Sequence, residues 1–322
     1  MGVFNINPHK TPMLPNLRSS LPVLALVSSF SLQPSSLLAQ GSLTPPGAPA
    51  PTMKTLQQIE PRTAITNTGA VTISQPGSYY LTANLAVSSG DAITIATNGV
   101  TLDLNGFTIS STASPAAGVG ILLNSGLRDI AIGNGHIRGG VTNNAGVYNG
   151  PGFLSGIHYS GTSPINTRVS GVSVSGCLTH GIYLHYTSNA TLVESCTVQT
   201  VGGTGIRAST ITRSVALDCG ANAIYGSAVS DCRGESALAG SGVYASTASN
   251  CYGSSSTGIG VSATIAQNCY GSSSGGTSAL FAQNASFCTG YRTSGRAIEA
   301  TVATGCYAAA GTNLITYKYN MP

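Results

Sequence analysis

Two columns of residues recur at a fixed spacing along the C-terminal half of the chain. The first consists of cysteines, which from Cys232 onward recur at positions 251, 269, 288 and 306, in steps that alternate between 19 and 18. The second lies eight positions earlier and is aliphatic, with a small residue two positions after each member. Its members are Ile206, Ile224, Val243, Val261, Leu280 and Ile298. Two columns that keep one register over six turns indicate short strands stacked coil upon coil.

Longer and less regular coils precede this half. The segments GIHY (156–159), GIYL (181–184) and GIRA (205–208) recur at intervals of 25 and then 24. Loops at 111–118, 139–155 and 185–190 interrupt the repeat. Only 7% of the chain is charged, whereas soluble domains average about a quarter, so helical bundles with charged faces are excluded. The sequence predicts an all-β parallel solenoid with coils of 18–25 residues.

Several segments resemble a known group of proteins. GDAITIATNGVTLDLNGFTIS (90–110), DIAIGNGHIRG (129–139) and the later GI-containing coils are similar to secreted right-handed parallel β-helix proteins of the pectin-lyase-like superfamily. IEPRTAI (59–65) and TYKYNMP (316–322) resemble uncharacterised bacterial members. The resemblance implies a right-handed parallel β-helix. It does not select an activity, because the superfamily contains lyases, hydrolases, epimerases and adhesins. A left-handed β-helix has coils of similar length, but its hexapeptide rhythm is missing here.

The N-terminus has the pattern of an export signal. An apolar run at 21–32 is followed by small residues, and cleavage after Ala39 fits a secretory signal over residues 1–39. Met13 is an alternative start that gives a more usual signal length. Residues 40–53 are proline-rich and read as a linker. We therefore expect a secreted, cell-surface or periplasmic protein with no membrane insertion after signal removal.

The remaining residues, 54–322, are predicted to form one β-helix domain. Residues 54–80 and the closing strand at 316–322 are assigned to cap its two ends, since an open solenoid edge promotes end-to-end pairing. A capped solenoid needs no partner, so a monomer is expected. The net charge of +4 is too small to indicate binding of nucleic acid.

The eight cysteines leave three interpretations open. The repeat assigns seven of them to one inward column and leaves Cys219 outside it. Such a column could be a reduced apolar ladder, although neighbours about 4.8 Å apart could also form disulfides between coils. Metal binding is the third interpretation, but no CxxC motif or Cys/His pairing supports it, so no metal site is predicted.

The sequence contains no recognisable set of catalytic carboxylates. Its nine Asp and Glu residues are never adjacent, so no cofactor is evident. Calcium is left open as a cofactor, although the carboxylate cluster that holds it in pectate-lyase relatives is not seen. Hydrolases of the same fold share several sequence motifs. In this chain only the THGI segment at 179–182 resembles one of them. An enzymatic role would therefore be that of a polysaccharide lyase rather than a glycoside hydrolase, and whether the protein is an enzyme stays open.

One outward column offers candidate site residues, because the position after each GI aliphatic residue faces solvent. Its members are His158, Tyr183, Arg207, Tyr225, Tyr244, Ser262, Phe281 and Glu299. We assign His158, Tyr183 and Arg207 as candidate catalytic residues, and Arg138, Arg168, Tyr225 and Tyr244 as candidate substrate-binding residues. Tyr or His can accept a proton, and Arg can neutralise a substrate carboxylate.

The predicted function is to act on or bind a polysaccharide or cell-surface glycan, in a role like that of a polysaccharide lyase. A non-catalytic glycan-binding or adhesion protein and a ligand-free structural solenoid are the alternatives. The aromatic residues could stack on sugar rings, but tyrosine is also a good strand former that stacks on itself.

Overall fold

The computed structural model describes residues 60–187 and 189–321, which are built from strands and turns without a helix. The predicted signal peptide, the linker and residues 54–59 of the predicted cap lie outside the described residues. The first nine strands are β1 (Thr63–Ile65), β2 (Val71–Ile73), β3 (Gly77–Leu81), β4 (Leu85–Val87), β5 (Ile93–Ile95), β6 (Val100–Asp103), β7 (Thr108–Ser111), β8 (Val119–Leu123) and β9 (Arg128–Arg138). The next nine are β10 (Thr142–Asn144), β11 (Val147–Asn149), β12 (Ser155–Tyr159), β13 (Ile165–Cys177), β14 (His180–Tyr183), β15 (Leu192–Glu194), β16 (Thr197–Val201), β17 (Ile206–Thr212) and β18 (Val215–Cys219). The last nine are β19 (Ile224–Ser230), β20 (Arg233–Ser236), β21 (Val243–Ser249), β22 (Tyr252–Ser255), β23 (Val261–Gln267), β24 (Tyr270–Ser273), β25 (Ser278–Ser286), β26 (Thr289–Thr304) and β27 (Tyr307–Tyr319).

Twenty-five of these strands form one sheet whose pairings are parallel, and each strand pairs with its equivalent in the next coil. The predicted right-handed parallel β-helix is confirmed. Within the described residues, the one antiparallel pair is the hairpin β10–β11, which belongs to the loop predicted at 139–155. The described residues contain no helix long and apolar enough to cross a membrane.

Each regular coil contributes three short runs of strand, which we call faces A, B and C. In the coil that starts at Ile206, face A is 206–208, face B is 210–212 and face C is 215–219. The next coil repeats these runs at 224–226, 228–230 and 233–236. Between coils, a face A residue lies in register with its equivalent, as Ile206 does with Ile224, and its N–H donates to the carbonyl of the residue before that equivalent, as that of Ile206 does to Ala223.

The core is the stack of inward side chains from all three faces. The predicted aliphatic column is fully buried from Ile206 to Ile298, and each such side chain stabilises the fold by about 1.5–3 kcal/mol. Five alanines and one glycine, Gly226, fill the position two residues later, which keeps the cross-section of the C-terminal half narrow. Face residues that alternate with this core face solvent, as the period of two requires.

The cysteine column differs in part from the prediction. Cys177 is in register with Val201, and Val201 with Cys219, so Cys177 and Cys219 share a second inward column. The reason is coil length, since the long coil that starts at Cys177 reaches its equivalent position only at Val201, beyond Cys196. The first column therefore contains six cysteines, with Ser214 in one position. All eight cysteines are buried and free of disulfides.

The corner between faces B and C requires a left-handed backbone conformation in every coil from β6 onward. One residue there has a positive φ of about 50–60° in each turn, and neighbouring corners are joined by backbone hydrogen bonds. These residues are Asn105, Asn134, Gly171, Ser195, Arg213, Asp231, Asn250, Asn268, Phe287, Gly305 and Asn320. Asparagine, aspartate and glycine predominate because they tolerate this conformation best. Side-chain hydrogen bonds also link Asn250 to Asp231 and Asn268 to Asn250.

Candidate functional site

The outward residues of face A form one continuous column. Tyr183 is in register with Arg207, Arg207 with Tyr225, and Tyr225 with Tyr244. His158 precedes them, because its neighbour Ile157 pairs with Ile182. The same register continues through Ser262, Phe281 and Glu299. We call this set, from His158 to Glu299, the face A column.

The rings at the N-terminal end of the column stack on one another. The ring centroids of His158 and Tyr183 lie 4.9 Å apart with an angle of 4° between their planes, and those of His180 and Tyr183 lie 4.3 Å apart. Because the faces of these rings are occupied by each other, a ligand meets their edges. What the stack offers to a sugar is therefore the Tyr183 hydroxyl and the imidazole nitrogens.

Arg207 lies at the centre of an aromatic cluster. The central carbon of its guanidinium lies 4.7 Å from the ring centroids of both Tyr183 and Tyr186, and 5.1 Å from that of Tyr225. The guanidinium also donates a hydrogen bond to the Tyr183 hydroxyl. None of the ion pairs formed within residues 60–187 and 189–321 includes Arg207. Its Nε is buried without a hydrogen-bond acceptor. The positive charge is thus held by rings and is not neutralised by a carboxylate.

Tyr186 completes this cluster although it does not lie on face A. It belongs to the loop between β14 and β15, and the Ser227 hydroxyl donates to its backbone carbonyl. Its ring centroid lies 4.5 Å from that of Tyr225. Burial and a hydrogen bond with Tyr186 raise the pKa of Tyr225 to about 12. Sequence reasoning did not identify Tyr186 or His180, because neither occupies the repeated position after a GI pair.

The two histidines of the stack have different hydrogen-bond partners. Nδ1 of His158 lies 2.6 Å from the Tyr159 carbonyl oxygen and so donates its proton there, which leaves Nε2 as an acceptor. Nδ1 of His180 accepts from the Thr204 backbone N–H at 3.0 Å, so its Nε2 carries the proton. Burial lowers the pKa of His158. Burial, with the charges of His158 and Arg207, lowers the pKa of His180 to about 4. Both imidazoles are therefore neutral at pH 7.

Two of the candidate binding residues lie on other faces. Arg168 lies on face B, where Glu194 pairs with it and, at 3.0 Å, with Arg213. Arg138 is exposed on face C, in register with Ser110 and Ser175. The structure therefore brings His158, Tyr183 and Arg207 together but not Arg138 and Arg168.

Tyr225 and Tyr244 do lie beside Arg207 in the column. Their ring centroids are 4.8 Å apart and their planes are nearly perpendicular, at 78°. Because Tyr244 is 42% exposed, it extends the accessible aromatic surface along the column. These two residues therefore continue the candidate site toward the C-terminus.

The column is an exposed surface rather than a deep cleft. An open groove of about 470 Å³ lies instead on face B and is lined by residues that include Asp103, Gly133 and Ser170. Within the described part of the chain, no group of three or more His, Cys, Asp and Glu side chains is arranged to hold a metal ion. The chemistry of the face A column is thus that of imidazole, phenol and guanidinium groups.

No protein-family model and no curated sequence matches the chain. Among solved structures, the crystal structure of the Dettilon tailspike protein is similar, with 10% identity and a TM-score of 0.38. The match covers 80% of this chain and 61% of the tailspike chain, so the chain spans less than two thirds of that protein's length. At this level the similarity carries no information on ligands.

Proposed function

We propose that the face A column binds an acidic polysaccharide, with Arg207 pairing with a carboxylate of the polymer. The observation that supports this most directly is the Arg207 guanidinium, which three tyrosine rings surround and which no described carboxylate neutralises. A partly buried arginine without a counter-ion favours an anionic ligand, and guanidinium pairs with carboxylate through two parallel hydrogen bonds.

A polymer suits this surface better than a small molecule does. From His158 to Tyr244 the column crosses four coil spacings, which is about 19 Å. Tyrosine hydroxyls and imidazole nitrogens line that distance, and they are suitable donors and acceptors for sugar hydroxyls. The open geometry of face A allows a chain to lie along the helix axis and extend beyond both ends.

A second, catalytic role is favoured by the state of His158. Lyases remove the proton beside a uronate carboxylate, and this needs a neutral base next to a cation. His158 is neutral with Nε2 free to accept a proton, and its ring stacks on Tyr183. Arg207 would stabilise the enolate, while Tyr183, whose hydroxyl accepts from Arg207, would donate a proton to the leaving oxygen.

The test measures binding and turnover in the same samples. Purified protein is incubated with polyuronates and with neutral polysaccharides, with and without calcium, while ultraviolet absorbance reports unsaturated uronate. Arg207→Ala should weaken binding of polyuronates by about 10- to 100-fold, as expected for the loss of a charge-assisted hydrogen bond. Arg233→Ala is the matched control, because Arg233 also lies over a tyrosine, Tyr252, but is neutralised by Glu235.

The outcomes separate the three roles. Unsaturated product that disappears in His158→Ala supports a lyase. Binding without product, lost in Arg207→Ala and kept in Arg233→Ala, supports a glycan-binding protein. Equal effects of both arginine variants, or no binding of any polymer, would contradict the proposal and favour a structural solenoid.

A further inference from the structure

The tyrosine ladder on face C has one position without a ring. Tyr252, Tyr270, Thr289 and Tyr307 are in register on four consecutive coils, so their side chains point outward from the same position of the strand. The rings of Tyr252 and Tyr270 stack, with centroids 5.2 Å apart and an angle of 3° between their planes. Because Thr289 supplies no ring at the next position, the ladder is interrupted between Tyr270 and Tyr307.

The interruption forms a slot whose width is set by the coils. Strands of successive coils are about 4.8 Å apart, so the strands that carry Tyr270 and Tyr307 are separated by about 9.6 Å. Because Tyr252 stacks on one face of the Tyr270 ring, the other face points toward the coil of Thr289. Tyr307 lies on the far side of the slot and is 54% exposed. The slot is therefore bounded by two tyrosines, with the short side chain of Thr289 as its floor.

Two further aromatic residues flank the slot on its own coil. Tyr291, two residues after Thr289, is in register with Ser272 and is 40% exposed. Phe287, two residues before Thr289, lies at the corner between faces B and C and is 64% exposed. Its ring extends over the next corner, because a Cβ added at Gly305 would lie 2.8 Å from its Cδ1. Aromatic residues thus surround Thr289 on four sides.

The backbone conformation of Phe287 is a second, independent observation. Its φ of 53° is in the left-handed region, which is unfavourable for a bulky side chain. The equivalent corners of the two coils before it are Asn250 and Asn268, and those of the two coils after it are Gly305 and Asn320. Asparagine and glycine adopt this conformation more easily. Unfavourable backbone conformations cluster at ligand-binding sites, and a ligand in the slot would cover the exposed Phe287 ring.

We propose that the slot binds one pyranose ring of a neutral sugar between Tyr270 and Tyr307. A flat ring placed midway would lie about 4.8 Å from each tyrosine, beyond the best carbon–carbon separation of about 3.5–4.0 Å. A pyranose chair is thicker, because its axial C–H groups extend toward both tyrosines and fill that distance. The hydroxyls of Thr289 and Tyr291 can exchange hydrogen bonds with the hydroxyls at the rim of the sugar.

The surface around the slot favours a neutral sugar over a uronate. In the coils of Tyr252, Tyr270 and Thr289, the outward residues of face C carry no charge. One coil earlier, Arg233 is neutralised by Glu235. Arg292, next to Tyr291 in the sequence, donates from Nε to the Ser294 carbonyl within its own turn. The slot therefore differs in ligand class from the face A column, where a guanidinium favours an anion, and it does not depend on that site.

The test measures binding of the methyl glycosides of glucose, galactose and mannose by saturation-transfer difference NMR and by tyrosine fluorescence. The chain contains no tryptophan, so its fluorescence reports on tyrosines. We expect at least one glycoside to bind, with saturation transferred to C–H groups on both faces of its ring. Absence of binding by all three, or tighter binding of methyl glucuronide or of the flat aromatic probe indole, would overturn the proposal.

Variants locate the bound glycoside. Thr289→Tyr places a ring of the protein itself in the slot and should abolish binding while the β-sheet circular dichroism spectrum is kept. Tyr307→Ala removes one wall and should weaken binding about tenfold. Phe287→Asn should also weaken binding, although asparagine relieves the backbone at this corner, so the loss cannot be attributed to unfolding.

Tyr317→Ala is the matched control for Tyr307→Ala. Tyr317 is 56% exposed, close to the 54% of Tyr307, but it lies on face B, in register with Val302. Its variant should bind the glycoside as the native protein does. Binding that survives in Thr289→Tyr, or an equal loss in Tyr317→Ala and Tyr307→Ala, would show that the slot is not the site.

Discussion

Phe287 adopts a backbone conformation that is unfavourable for a large side chain. Its φ is 53°, and its ring is 64% exposed at the corner between faces B and C. The equivalent residues in the three preceding coils are Asp231, Asn250 and Asn268, whose side chains form a hydrogen-bonded ladder. Phe287 gains neither burial nor a ladder bond in return for its conformation.

Phe287→Asn is therefore expected to stabilise the protein. The left-handed conformation costs a non-glycine residue about 1–2 kcal/mol. Asparagine adopts it at a lower energy than phenylalanine does. We expect the free energy of unfolding to rise by about 1 kcal/mol, measured by urea denaturation. Phe281→Asn is the control, since Phe281 is also an exposed phenylalanine, at 40%, but has an ordinary φ, and it should give no gain. A Phe287→Asn protein that is no more stable would contradict this account.

His180 makes stability depend on pH. Its pKa is about 4 in the folded protein, where burial and the charges of His158 and Arg207 disfavour protonation. In the unfolded chain a histidine titrates near pH 6.5, so the unfolded state binds more protons between these values. The stabilisation is complete above about pH 6.5 and is lost as the pH falls toward 4.

The variant His180→Asn tests this dependence. Its side-chain oxygen stands near the position of Nδ1 and can accept from the Thr204 N–H, while it has no titratable group. Melting temperatures between pH 7 and pH 4.5 should fall less steeply for the variant than for the native protein. Parallel slopes would show that His180 is not the group responsible.

At the scale of the elements, the hairpin β10–β11 is held against the solenoid by one carboxylate. Asp218 accepts hydrogen bonds from the Asn143 side chain at 2.6 Å and from the Tyr148 hydroxyl at 3.0 Å. Burial and the bond to Asp218 raise the pKa of Tyr148 above its usual range, so the phenol remains protonated and keeps donating. The hairpin makes no strand pairing with the large sheet, so these side chains fix its position.

Tyr148→Phe should loosen the hairpin without unfolding the solenoid. A hydrogen bond to a charged group contributes about 1.5–3 kcal/mol, so limited proteolysis within residues 142–149 should become about tenfold faster or more. Tyr252→Phe, which removes an exposed hydroxyl on face C, should leave the cleavage rate unchanged. Cleavage at the same rate in all three proteins would show that Tyr148 does not hold the hairpin.

The sequence predicts those parts of the structure that repeat. The aliphatic column from Ile206 to Ile298 and the outward face A residues could be placed because one side-chain position recurs in each coil. Cys177 was assigned to the wrong column, because the longer, irregular coils that precede Ile206 shift the register. Tyr186 could not be placed for a related reason. Its contact with Arg207 depends on how a unique loop folds back, and no periodicity encodes that.

At the scale of the whole molecule, the C-terminal half is a stack of nearly interchangeable coils. The segment NCYGSSS occurs at 250–256 and again at 268–274, and the strands that contain it pair residue for residue. Tight packing leaves no space for a side chain at two glycines of these coils. A Cβ added at Gly253 would lie 2.1 Å from the Gly260 carbonyl oxygen, and one at Gly271 would lie 2.4 Å from that of Ala279.

Deletion of residues 252–269 should therefore give a folded protein. The deletion removes one complete coil and joins Cys251 to Tyr270, which restores the sequence NCYGSSS. Circular dichroism should show the same β-sheet signal per residue and a single cooperative melt. A matched deletion of 252–268, one residue shorter, leaves one extra residue before face C, which exchanges the inward and outward positions of that face, and should aggregate. Equal folding of both proteins would contradict the importance of register.

The close approach at Gly253 and Gly271 has a consequence for how such a chain changes over time. A single substitution cannot place a larger side chain at either glycine, because the backbone of the next corner already occupies the space. Duplication or loss of a whole coil avoids that restriction, since every contact within a coil is reproduced in its copy. This half therefore consists of a whole number of coils, each 18 or 19 residues long, and descendants should differ from one another chiefly by whole coils.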